Sequence, residues 1–93
     1  MYVVLVYDIK ITDNSGQKVM RNTFKTCKKY LHHIQNSVFE GDITRSQLSK
    51  LRLELGKYIR KDKDSVVVFK SREEKWLDKE FWGVEDDKTS NFI

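Results

Sequence analysis

The sequence predicts an α+β sandwich in strand–helix–strand–strand–helix–strand order, with two helices on one face of an antiparallel sheet. Three observations carry this reading. An unbroken apolar run opens the chain, two amphipathic helical patterns follow, and a second short apolar run precedes a tail rich in aromatic residues. The 93 residues make one small domain. A domain of this size buries only about two-thirds of its unfolded surface, so further burial against a partner or a second copy is expected.

The first strand occupies Met1 to Asp8. Its apolar and aromatic residues, three of them valine, run without alternation and read as a central strand covered on both faces. Asp8 stands where a polar side chain can leave the core. There it either faces a ligand or bonds a backbone N–H at the turn. Thr12 to Gly16 is a loop by composition, and Asn14 with Gln17, or Ser15 alone, is placed to cap a helix from about Gln17 to Leu31.

Within that helix Met20, Phe24, Cys27 and Leu31 form a core-facing stripe. Cys27 reads as a small core residue rather than a nucleophile. Lys18, Arg21, Lys25 and Lys28 form a second stripe that no acid interrupts. Solvated faces usually mix signs, so an all-basic one leans toward polyanion contact over plain solubilisation.

Ile34, Val38 and Phe39 suggest short strands, kinked or folded as a hairpin. Adjacent His32 and His33 would point to opposite faces there, which argues against a two-histidine metal site and for surface or phosphate-contact roles. Thr44-Arg-Ser-Gln47 is a capping box opening a second helix. Leu48, Leu51, Leu55, Tyr58 and Ile59 make its buried stripe, with Arg45, Lys50, Arg52, Lys57 and Arg60 outside it. Arg60 to Asp64 reads as a charged loop, and Ser65 to Phe69 as a buried strand.

Beyond Lys70, Ser71-Arg-Glu-Glu74 can cap a short helix. The alternation of Trp76, Asp78, Glu80 and Trp82 with Leu77, Lys79 and Phe81 instead reads as an edge strand stopped by Gly83. Glu85 to Asp87 is an acidic loop. Trp76, Phe81, Trp82, Phe92 and Ile93 either dock on another subunit or cover this chain's own sheet.

Composition narrows the function classes. One cysteine rules out an internal disulfide framework. No apolar run approaches the ~20 residues of a membrane span, and no basic segment precedes the first one, so a cytoplasmic location away from membranes is expected. A net charge of +4 permits nucleic-acid binding without establishing it.

Tyr7-Asp8-Ile9 closing the first strand, and Gln35-x-Ser37-Val38-Phe39-Glu40-Gly41 before the second helix, resemble the small CRISPR-associated endonucleases of the Cas-two family. The ending Lys88-Thr-Ser-Asn-Phe-Ile93 resembles one bacterial branch of it. The resemblance covers the chain in length and element order. It implies a ferredoxin-like domain over residues 1–93 with an extra C-terminal strand. It also implies a homodimer in which residues 71–93 are a dimer-exchanged or partner-docking tail.

The implied role is CRISPR adaptation, the capture of new spacers. In that role the dimer would bridge copies of a larger CRISPR integrase subunit and hold double-stranded DNA on its basic surface. The resemblance further implies magnesium-dependent endonuclease activity on single-stranded RNA or double-stranded DNA. Asp8 is then both catalytic and metal-binding, with one Mg²⁺ shared between the two Asp8 of the dimer. Lys10, Lys18, Arg21, Lys25, Lys28 and Ser37 are the expected nucleic-acid contacts. Phe39, Trp76, Phe81, Trp82, Phe92 and Ile93 are the expected interface residues. The basic stripe departs from many members in having a single arginine, and lysine meets phosphate as a point charge rather than a bidentate fork.

Magnesium can be held by one or two carboxylates with water and substrate phosphate, so two symmetry-related Asp8 meet the minimum. Glu40 and Asp42 are candidate further ligands. Two readings stay open: a metal-dependent endonuclease, and a non-catalytic scaffold that binds duplex DNA by counterion release and docks a partner with its tail. A ligand-sensing domain has no phosphate loop or ligand motif behind it.

Overall fold

In the computed structural model, which describes residues 1–83, the opening apolar run becomes β1 (Tyr2–Asp8), an interior strand of a four-stranded antiparallel sheet. The other strands are β2 (His32–Gln35), β3 (Val38–Asp42) and β4 (Ser65–Ser71), in the order β2-β3-β1-β4. Pairing runs from Tyr2 opposite Asp42 to Val6 opposite Val38, and from Tyr2 opposite Ser71 to Asp8 opposite Ser65. Side chains alternate along a strand. Val3, Leu5 and Tyr7 therefore join the core with Val19 and Cys27 of α1 (Asn14–Tyr30) and Leu51 and Leu55 of α2 (Arg45–Leu55). Val4, Val6 and Asp8 take the opposite, helix-free face. Val67 and Phe69 of β4 share it and remain about half exposed.

Helix α1 starts a turn earlier than the sequence suggests. Asp13 is its N-cap, accepting a hydrogen bond from the Gly16 N–H at 2.6 Å, in place of the Asn14 or Ser15 cap expected. Its buried side is also rotated, onto Val19, Thr23, Thr26 and Cys27, leaving Met20 and Phe24 only partly covered. Polar residues carry no apolar periodicity, yet the short side chains of Thr23 and Thr26 are buried in this helix.

Gly16 is forced by close approach. A Cβ there would overlap the Lys10 carbonyl oxygen and lie 2.9 Å from Ile11 Cα, both rigid backbone. Gly16→Ala is therefore expected to destabilise the protein by about 1–3 kcal/mol, since the helix start or the loop must move. The check is a lowered urea midpoint with an unchanged slope.

Of the two arrangements the sequence leaves open, kinked strands or a hairpin, β2 and β3 form the hairpin. Asn36 sits at its tip with φ 42°, a left-handed conformation that asparagine tolerates better than most residues. The capping box on α2 forms in full, with Gln47 N–H to Thr44 Oγ1 at 3.1 Å and Thr44 N–H to Gln47 Oε1 at 2.9 Å. Tyr58 and Ile59 lie past the end of α2 but still pack on the core.

The tail corrects the sequence reading. Among the described residues Glu74–Trp76 is a single 3₁₀ turn, and Leu77 to Gly83 pairs with none of the four strands. The segment instead runs over the helix-free face beside Val4, Ile34, Val38 and Glu40. Glu40 is nearly buried on that face and needs a cation; Lys79 supplies it, pinning the segment across the sheet instead of along its edge. Trp76 and Trp82 stay 64% and 92% exposed, so the tail leaves its two largest apolar side chains outside this chain's own core. Phe92 and Ile93 lie outside the described residues.

Candidate active site and nucleic-acid surface

Asp8 ends β1 on the helix-free face, exposed and opposite Ser65. Its predecessor anchors it. The Tyr7 N–H donates to the Ser37 carbonyl at 3.1 Å, tying the β2–β3 turn to the end of β1, while the Tyr7 side chain turns into the core. Ser37 and Asp8 thus share one end of the sheet.

Phe39 is not an interface residue. It is fully buried on the helix-facing side of β3, 6.0 Å from the Tyr7 ring, 5.4 Å from Phe24 and 4.9 Å from His33, centroid to centroid. Its position opposite Leu5 decides this, since paired residues share a face. It supports the strand end from beneath. His33 is likewise part of this packing, its Nε2 2.8 Å from the Asn36 carbonyl at the hairpin tip. Only His32 keeps the surface position expected of both.

The candidate further ligands lie elsewhere. Glu40 pairs with Val4 and Asp42 with Tyr2, placing them four and six residues back along β1 from Asp8, about 13 Å or more at strand rise. Both are engaged, Glu40 by Lys79 and Asp42 by the Met1 ammonium at 2.9 Å. Asp13, Glu54 and Asp64 also engage cations. Among the described residues the Asp8 carboxylate engages none, and no three His, Cys, Asp or Glu side chains gather as a metal cage. The single chain offers Mg²⁺ one open carboxylate, which fits that ion's minimal protein ligation.

The charged loop keeps Lys61, Asp62 and Lys63 exposed, but its two ends, Arg60 and Asp64, form a clamp beside this site. The Arg60 guanidinium donates to both Asp64 carboxylate oxygens (2.9 and 3.0 Å), to Asp13 and Ser15 (3.2 Å each) and to the Lys10 carbonyl (2.6 Å). Asp64 also accepts from the backbone N–H groups of Lys10 at 3.1 Å and Arg60 at 2.9 Å. The Asp64 side chain has no exposed surface. Spacing i,i+4 was the available signal, masked because alternating charges usually mark solvated chain.

The hydrogen-bonded Arg60 guanidinium holds the Asp64 carboxyl far below the usual carboxylate range, more than burial raises it. The sign follows from linkage. A depressed folded value gives stability that is complete above the unfolded carboxylate value of about 4 and is lost as pH falls toward the folded one. Asp64→Ala is expected to cost about 3 kcal/mol at neutral pH, because it strands buried donors, and to flatten acid unfolding below about pH 4. Thermal melts of both proteins from pH 7 to pH 2 check it. A variant with an undiminished acid limb would sink the assignment.

The cations occupy a separate surface. Lys18, Arg21, Lys25 and Lys28 are all exposed along α1 in the helix layer, Lys28 lying 5.5 Å over the Phe24 ring. Lys10 is exposed on the loop between β1 and α1. The structure thus brings Asp8, Lys10 and Ser37 to one end of the sheet, with the stripe on the opposite layer. Cys27 is in the core, and burial pushes its thiol up to about 12, which removes it as a nucleophile at neutral pH. No helix among the described residues is long and apolar enough to cross a membrane.

Known proteins are similar to this chain in sequence and fold. The profile of the family described as CRISPR associated protein Cas2 matches residues 1–79. A protein of Fusobacterium nucleatum subsp. nucleatum named CRISPR-associated endoribonuclease Cas2 is 53% identical over 93 residues, spanning 100% of this chain and 87% of the relative. One from Moorella thermoacetica, named CRISPR-associated endoribonuclease Cas2 2, is 40% identical over 91 residues, 98% of this chain and 100% of the relative. The solved structure described as "Crystal structure of cas2" superposes with a TM-score of 0.77 at 32% identity, covering 91% of this chain and 88% of that one.

Proposed function

The chain belongs to the CRISPR associated protein Cas2 family, and from that premise we propose that it is a phosphodiester-cleaving nuclease of CRISPR adaptation whose catalytic carboxylate is Asp8. The nuclease class is that of its relatives, which carry the name endoribonuclease. One observation carries the assignment to Asp8: it is exposed at the end of the central strand, and of the three carboxylates weighed as metal ligands, Asp8, Glu40 and Asp42, it is the one that engages no cation among the described residues.

A homodimer formed on the helix-free face completes the site in this reading. That face exposes Val67 and Phe69 beside β1, opposite Val6 and Val4, an apolar surface that begins two residues back from Asp8 and that a second copy would bury. Two Asp8 brought together would hold one Mg²⁺, and like charges at close range favour a cation between them. The bound ion would polarise a phosphodiester and supply an activated water. Ser37 and Lys10 border the same sheet end, where they can orient the substrate backbone. Residues 71–93 are the segment for exchange or partner docking, with Trp76, Phe81 and Trp82 as its anchors. The α1 stripe binds double-stranded DNA by its phosphates, and the dimer bridges the larger integrase subunits.

The scaffold reading shares the dimer and the stripe but omits cleavage; the separation of the stripe from Asp8, on opposite layers of the chain, favours it. One experiment divides the two. Sedimentation first establishes whether the protein is dimeric. The purified protein is then titrated onto a labelled DNA duplex and a labelled single-stranded RNA, with Mg²⁺ and with chelator. Metal-dependent cleavage of either supports the nuclease. Salt-sensitive binding without cleavage of either leaves the scaffold.

A further inference from the structure

We propose that Arg60 and Asp64 are positioning residues that fix Asp8 for metal and phosphate, a role that rests on the nuclease reading of Asp8. The geometry brackets Asp8 from both directions. Upstream, Tyr7 N–H is tied to Ser37; alongside, Asp8 pairs with Ser65, the residue that follows Asp64. Downstream the sheet ladder ends, and the Asp64 carboxylate extends it by accepting the Lys10 N–H at 3.1 Å. Arg60 closes the other side of the same residue through the Lys10 carbonyl at 2.6 Å. Both backbone groups two residues beyond Asp8 are thereby held by one ion pair whose carboxylate is fully buried.

The grip reaches further than Asp8. Through Asp13 and Ser15 the same guanidinium holds the start of α1, and the Gly16 N–H completes the Asp13 cap. Loop residues carrying function are usually held by a rigid frame, and a ligand displaced by about 1 Å loses much of its effect. A carboxylate that lacks side-chain partners of its own depends on its backbone for aim. A salt bridge that merely stabilised the loop would have no reason to seize both polar groups of Lys10.

The test uses Asp64→Asn and Arg60→Lys, with Asp8→Asn alongside, all at low temperature where near-ultraviolet dichroism shows each variant folded. Three quantities are read: hydrogen exchange at the Lys10 amide, the Mg²⁺ midpoint from the Asp8 and Ile9 amide NMR shifts, and single-turnover cleavage. The clamp variants are expected to speed Lys10 exchange at least tenfold, raise the Mg²⁺ midpoint several-fold and slow cleavage more than tenfold. Dimerisation and duplex affinity should not change. Unchanged metal midpoint and cleavage in both clamp variants, with Asp8→Asn impaired, overturn the positioning role alone. An unimpaired Asp8→Asn overturns the reading of Asp8 and the clamp's role with it.

Discussion

Asp8→Asn is expected to slow metal-dependent cleavage by about a thousandfold while leaving the fold and duplex binding unchanged. The size follows from what is removed. Loss of one preorganised electrostatic group at a reacting phosphate or carbonyl costs roughly 10²–10³ in rate, and here a shared ion would lose both of its protein carboxylates, because the substitution occurs in each copy. The neutrality toward folding follows from the surroundings. Asp8 is exposed, engages no cation among the described residues, and is replaced by an isosteric amide that leaves the backbone pairing with Ser65 intact. A further consequence separates this reading from a structural one. If two Asp8 face each other, removing both charges relieves repulsion, so the metal-free dimer should dissociate less readily. Wild-type cleavage by highly purified Asp8→Asn would end the assignment of Asp8.

The fold was legible wherever local pattern and tertiary burial coincide. The Met1–Tyr7 run had no polar side to give it away as an edge, and it became the interior strand β1. Thr44 and Gln47 close a capping box whose hydrogen bonds involve only neighbours in sequence. The misread parts depend on partners distant in sequence. Thr23 and Thr26 are buried because α1 lies close to the sheet, which their polarity concealed. The alternation of Trp76 to Trp82 satisfies strand periodicity, yet the need of Glu40, 39 residues earlier, for a cation draws Lys79 over the sheet face. Periodicity reports which side chains share a side; it cannot report what lies opposite.

Site residues divide along the same line. Asp8 stands out as the acid that ends the apolar strand; the sequence alone reads it equally well as a turn bond or a ligand contact, and the resemblance decides between them. The four α1 cations could be found because a stripe is a property of one helix. Phe39 was misplaced because an aromatic residue in a family motif fits an interface or a core equally well until β3 is paired with β1. Arg60 and Asp64 are hidden for the opposite reason: the pair is local, but its meaning lies in Lys10, about fifty residues away, whose backbone it holds. A charged run says nothing about which carboxylate will be the buried one.

Replacing Lys18, Arg21, Lys25 and Lys28 together by glutamine is expected to weaken duplex DNA binding by about a thousandfold at 0.15 M salt. Each phosphate contact contributes about 0.9 to the slope of log affinity against log salt, so if one copy's stripe faces the duplex, loss of its four contacts should lower that slope by more than three and the affinity by about three decades. The loss should be uniform across DNA sequences, because exposed lysines on a helix face position the backbone without reading bases. Stability should move the other way. The four cations are spaced three and four residues apart, where like charges repel on a helix, and glutamine is as good a helix former as lysine. The variant should therefore melt at or slightly above the wild-type temperature while binding far more weakly. That opposition matters, because a damaged helix would lose both properties together. Cleavage of short single-stranded RNA, which depends on Asp8 at the other layer, should fall much less than duplex binding. If affinity and salt slope both survive the substitution, the stripe is a solubilising face and the DNA surface lies elsewhere.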